Sequence, residues 1–110
     1  MPAIAAPTIT SKARSHLRSL AHALEPVVHV GGEGLTEAVQ AAVRRALADH
    51  ELVKVKLGKA FVGERKESAR ELADAVGADL TQVIGKVIVL YRPRPAKKDD
   101  KRPRIVIPGD

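Results

Sequence analysis

Three glycines and one acid, Gly31, Gly32, Glu33 and Gly34, stand between an apolar run, "VVHV", and a segment of helical periodicity that opens with Leu35-Thr36-Glu37. Glycine at such a place lets the backbone take positive φ angles and lets another molecule approach closely. A helix start behind it offers unpaired N–H groups and the positive end of its dipole. The ligand this geometry suits is a phosphate. A tight strand-to-helix turn that holds nothing satisfies the same pattern, and G-x-x-G alone does not separate the two. Glu33 works against an anion unless its carboxylate points into solvent or caps the helix.

Other chemistry is poorly provided for. His16, His22, His29 and His50 are scattered without H-x-x-x-H or H-E-x-x-H spacing, so no metal site is expected. Ser11, Ser15, Ser19 and Ser68 fall in helical segments, not in a strained G-x-S-x-G turn. With no cysteine there is neither a thiol nucleophile nor a disulfide framework. The acids lie on helix surfaces, and "GGEG" lacks the Lys-Ser/Thr of a nucleotide-binding P-loop. The expectation is a protein without catalytic residues or cofactor.

Charge points to a polyanion. Of the net +6, residues 1–22 contribute +3, residues 23–91 contribute −1 and residues 92–110 contribute +4. A nearly neutral body with basic ends suits a partner met by a patch. A solvated basic helix and a basic tail would give the same count. With only Phe61 and Tyr91 as aromatics and no Trp, a row of aromatic platforms for single-stranded bases is excluded. No run reaches the ~18 apolar residues of a membrane span, and "MPAIAAPTI" is unlike a signal peptide, so a soluble, cytoplasmic protein with no membrane or small-molecule partner is expected.

The elements that must position these residues follow from periodicity. Residues 1–9 carry Pro2 and Pro7 and no pattern, and are expected to be disordered. "TSKARSHLRSLAHAL" reads as a helix capped by Thr10 or Ser11, with Leu17, Leu20, Ala21 and Leu24 as its apolar stripe. Pro26 ends it and "VVHV" is a strand. After the glycine loop, a second helix runs from about Leu35 to His50 with the stripe Leu35, Val39, Ala42, Val43, Ala46 and Leu47. "LVKVKL" alternates, with Val53, Val55 and Leu57 inward and Lys54 and Lys56 outward. "GKAFVG" is a connection, and a third helix from about Glu64 to Val76 presents Ala69, Leu72, Ala73 and Val76, with Gly77 as its C′ glycine. "TQVIGKVIVLYR" is a hairpin turning at Gly85-Lys86, its second arm apolar on both sides and therefore central. Residues 94–110 form a charged, proline-rich tail in which "IVI" is the only apolar run. The order, a helix and then β-α-β-α-β-β, defines an α+β two-layer sandwich on a sheet of about four strands.

Taken together, "LRSLAHALEPVVHVGGEGLTEAVQAAVRRAL", "HELVKVKL" and "QVIGKVIVLYR" resemble the CRM domain (chloroplast RNA splicing and ribosome maturation), specifically its stand-alone bacterial form, the YhbY family. The resemblance spans roughly residues 10 to 93 and is carried by several motifs in order. It implies a mixed four-stranded sheet similar to that of the C-terminal domain of translation initiation factor three. It also implies RNA binding without catalysis, and association with precursors of the large ribosomal subunit; related plant domains act in group II intron splicing. The family's binding loop falls on Gly31, Gly32, Glu33 and Gly34, and its basic surface on Lys12, Arg14, Arg18, Lys54, Lys56 and Lys86. Glu33 departs from the neutral or basic residues usual between those glycines. Two other classes fit the residues alone: a generic nucleic-acid module that also takes DNA, and a protein-interaction module whose glycine loop is purely structural.

Overall fold

A computed structural model describes residues 9–93 of the chain. The segment 1–8 and the tail 94–110, with its "IVI" run, lie outside the described residues. Ile9, assigned from sequence to the patternless N-terminus, packs against the first helix and the sheet.

Seven elements follow in the expected order: α1 Ser11–Ala21, β1 Pro26–Val30, α2 Glu37–His50, β2 Leu52–Leu57, α3 Arg65–Val76, β3 Asp79–Ile84 and β4 Val87–Tyr91. The sheet order is β1-β2-β4-β3, with β1 parallel to β2 and the other pairs antiparallel. The fold is therefore α+β on a mixed four-stranded sheet. β4 is central, and Ile88, Val89 and Leu90 are fully buried because both of its faces are covered.

Strand alternation divides the apolar residues between those faces. Val28, Val30, Val53, Val55, Leu57, Ile88 and Leu90 meet Val43 and Leu47 of α2 and Ala69, Leu72, Ala73 and Val76 of α3 in the main core. Leu52, Val89 and Tyr91 point the other way and meet Leu17 and Ala21 of α1 in a smaller one. The two-layer description holds for the sheet with α2 and α3; α1 adds a partial third layer, which the apolar outer positions of β4 make possible.

Helix ends are set by local chemistry. Thr10 Oγ1 accepts from Ala13 N at 3.1 Å and Thr36 Oγ1 from Val39 N at 3.2 Å, each satisfying a donor of a first turn. α2 thus begins at Glu37, two residues later than its apolar pattern suggests. Gly77 closes α3 in the left-handed region at φ 67°. α1 ends at Ala21, so its buried stripe is Ala13, Leu17 and Ala21, while Leu20 and Leu24 are 39% exposed. In α2, Ala42 is likewise exposed. Among the described residues no helix is long and apolar enough to cross a membrane.

Candidate nucleic-acid interface

The register places His29 of β1 beside Lys56 of β2, Lys56 beside Val87 of β4, and Val87 beside Ile84 of β3. These four form one row across the whole sheet, and alternation turns all of them toward the side that carries α1. The helix does not reach them. Its contacts, Leu52, Val89 and Tyr91, lie further along the same strands, leaving His29, Lys56 and Ile84 exposed and Val87 half-buried. Ser15, Arg18 and Ser19 of α1 and His22 at its C-terminal cap border this bare end of the sheet, lining a shallow groove with Gln82 and Ile84.

Three turns converge at the same end. Gly58 N donates to Val30 O at 2.8 Å, tying the end of β2 to the start of the glycine loop. Leu57 N donates to Lys86 O at 2.8 Å, bringing the β3–β4 turn alongside. Gly34 N donates to Gly31 O at 3.1 Å, so residues 31–34 form a closed turn, and Gly34 adopts φ 79°, which a side chain would strain. Among the described residues the N–H groups of Gly32 and Glu33 have no acceptor, and a Cβ on Gly31 would meet nothing within 4 Å. Gly32 has a different reason to be glycine: a Cβ there would stand 3.3 Å from Ala60 O, since the 58–61 turn rests against it.

The candidate cations separate into two groups. Lys56 and Lys86 lie exposed at the end of the sheet that carries the loop, and Arg18 lies exposed across the row from it, beside Gln82 and Ile84 of the opposite edge strand. Lys54 is also on this face, but its Nζ donates to Leu24 O at 3.0 Å and holds the α1–β1 connection. Lys12 and Arg14 lie at the other end of the sheet, where β3 begins. Arg14 Nη2 donates to Asp79 Oδ1 at 2.7 Å, and Asp79 Oδ2 accepts from Thr81 Oγ1 at 2.9 Å. The hydrogen bond to this carboxylate raises the Arg14 pKa, against the opposing pull of partial burial. Its charge is already matched.

The loop itself is not basic. Glu33 is exposed, and Glu37 in the first turn of α2 takes Arg44 Nη2 at 2.6 Å on the surface. Positive charge comes instead from neighbours, including Lys59 in the turn against Gly32, a residue the sequence reading passed over as part of a connection. Its signal was the pair Gly58 and Gly63 bracketing a lysine. His29, weighed from sequence only as a metal ligand, and His22, which stands at helical spacing from Arg14 and Arg18 as part of a short basic ridge, also belong to this face. Glu64 is held apart by its role at α3: its Oε2 accepts from Glu67 N at 2.7 Å, and this bond, with one from Lys66 N, lowers its pKa.

The structure is thus a small α+β domain that leaves one end of its sheet bare, with Lys56, Lys86 and a glycine turn beside it. The chain belongs to the CRS1 / YhbY (CRM) domain family, whose model matches residues 9–92. It is 42% identical over 87 residues to a protein of Pseudomonas aeruginosa named as a probable RNA-binding protein, covering 79% of this chain and 84% of that one. It is also 42% identical over 86 residues to an RNA-binding protein of Haemophilus influenzae, covering 78% and 87%. The fold is similar to the solution structure of a hypothetical Staphylococcus aureus protein described as a candidate for RNA binding, with a TM-score of 0.69 at 33% identity, over 89% of this chain and all of that one.

Proposed function

We propose that this protein binds structured RNA through the bare end of its sheet, and that the RNA belongs to precursors of the large ribosomal subunit, on which the protein acts in the cytoplasm as an assembly factor without catalysis or cofactor. The observation that carries RNA binding is the row His29–Lys56–Val87–Ile84, left uncovered by α1 and bordered by Arg18, Lys86 and the Gly31–Gly34 turn. The names of its relatives support RNA as the partner; the ribosomal precursor rests on the family resemblance. Free N–H groups in the loop meet phosphates where a side chain would be in the way, and the surrounding cations supply long-range attraction. Recognition is led by shape and backbone, because this surface offers no aromatic row.

The test is a sucrose-gradient profile of lysate at low and moderate salt, comparing wild type, Gly31→Asp and a chain truncated after Pro93. Gly31 is the better probe than Gly34, since it has open space around it and none of the φ strain of Gly34. Wild type is expected with large-subunit precursors, and folded Gly31→Asp near the top of the gradient. Normal sedimentation of Gly31→Asp with loss of only the truncated chain would make the loop structural and transfer the contact to the tail. Association that survives nuclease would replace RNA by a protein partner.

A further inference from the structure

Val62 is 87% exposed, the most exposed large apolar side chain among the described residues. The chain on either side of it makes contacts with the body of the protein. Phe61 packs against the main core, and its N–H donates to Gly58 O at 3.1 Å. Gly63, at φ 150°, is exposed, but a Cβ on it would stand 3.2 Å from the Phe61 ring and from Ser68 Oγ. Ala60 rests on Gly32 of the glycine turn. Val62 thus stands exposed between two anchored neighbours, beside the candidate phosphate site. Lys59 precedes it, and Arg65 and Lys66 follow in the first turn of α3, all exposed. The one acid in their midst, Glu64, is turned back onto the helix as its cap.

An apolar side chain gains nothing against phosphate oxygens, but it gains by covering the face of a base or the carbon edge of a ribose. In a continuous A-form duplex the base faces are stacked away, and phosphates and hydroxyls form the surface. Of base face and ribose edge, the base face is the larger apolar surface, and within a chain it is open only on an unpaired nucleotide. Tyr91 is buried and Phe61 is half-buried against the main core, so the fully exposed apolar side chain this surface has to offer is the aliphatic Val62. We infer that the 58–63 connection is the second jaw of the RNA interface, with Val62 covering an unpaired nucleotide of a hairpin loop or bulge while the Gly31–Gly34 turn and Lys59 hold the adjoining phosphates. The inference rests on the RNA-binding function proposed for the protein and specifies the class of RNA it takes.

The experiment is a titration of the full chain against an RNA hairpin with an unpaired loop and against a continuous RNA duplex with the same number of phosphates, over a range of salt. Wild type is expected to prefer the hairpin. Val62→Ser weakens hairpin binding about tenfold, the scale of losing most of one valine's apolar contact, and leaves the salt slope and the duplex affinity unchanged. Val62→Leu restores the hairpin affinity. Lys59→Ala weakens both RNAs and reduces the salt slope by about 0.7 to 0.9, one phosphate's worth. A Val62→Ser protein that binds the hairpin as wild type does, or loses both RNAs equally, overturns the inference and leaves the RNA-binding function standing. Failure of wild type to bind either RNA overturns both.

Discussion

At the scale of single residues, two arginines one helical turn apart have been given different work. Arg14 is committed to Asp79, a carboxylate that is 7% exposed and shares its second oxygen with Thr81. Arg18 is exposed beside the bare row. Arg14→Ala is expected to lower stability by about 1–2 kcal/mol, the range for a charged hydrogen bond discounted for the exposure of the arginine, seen as a lower urea midpoint. The same variant should leave RNA affinity nearly unchanged. Arg18→Ala should do the reverse, holding the urea midpoint and weakening RNA binding with a shallower salt dependence. The glycine turn divides in the same manner. Gly34→Ala forces a Cβ into the left-handed region and should cost about 1 kcal/mol, whereas Gly31→Ala should be nearly neutral in the same unfolding assay.

At the scale of elements, α1 and the first turn of α3 flank the proposed interface. α1 is attached through a small core in which Leu17 is fully buried against Leu52, Val89 and Tyr91. Leu17→Ala should destabilise the protein by about 2–4 kcal/mol, and amide exchange in α1 should rise before that in β4, because only one side of the sheet loses its packing. The start of α3 depends on the Glu64 carboxylate. Its pKa is lowered in the folded protein by the N–H groups of Glu67 and Lys66, so the stabilisation it lends is present above the pKa of the unfolded chain and is lost as pH falls through the lowered folded value. Loss of protection of the Glu67 amide on acidification, its exchange rate taken relative to the intrinsic rate at each pH, and the same loss at neutral pH in Glu64→Ala check this.

At the scale of the molecule, the proposed interface is what the sheet leaves uncovered. Three rows of residues cross the α1 side; the helix covers those containing Leu52, Val89 and Tyr91, and the row at the loop end is free. Binding there should be salt-dependent, with log K falling linearly in log salt by about 0.7 to 0.9 per phosphate neutralised. An affinity for RNA that hardly changes between low and moderate salt would remove the phosphate-led mechanism. Much of this arrangement was legible beforehand. β4 was readable as central from its unbroken apolar run, and Lys56 as outward from strict alternation. The commitment of Arg14 was not, because Asp79 is 65 positions away and nothing local links the two. Nor was Lys59, whose importance comes from the contact between Ala60 and Gly32 across a crossover.

The sequence by itself determined the seven elements, their order, the α+β class and the place of the glycine turn, because periodicity, caps and turn residues act over a few positions and each carries its own signal. Only the tertiary structure decided which basic residues share a face with that turn, which one is neutralised by a distant acid, and that α1 stops short of the sheet's end. Those outcomes depend on strand register and on the length of α1 relative to the strands it crosses, quantities set when all the elements pack together.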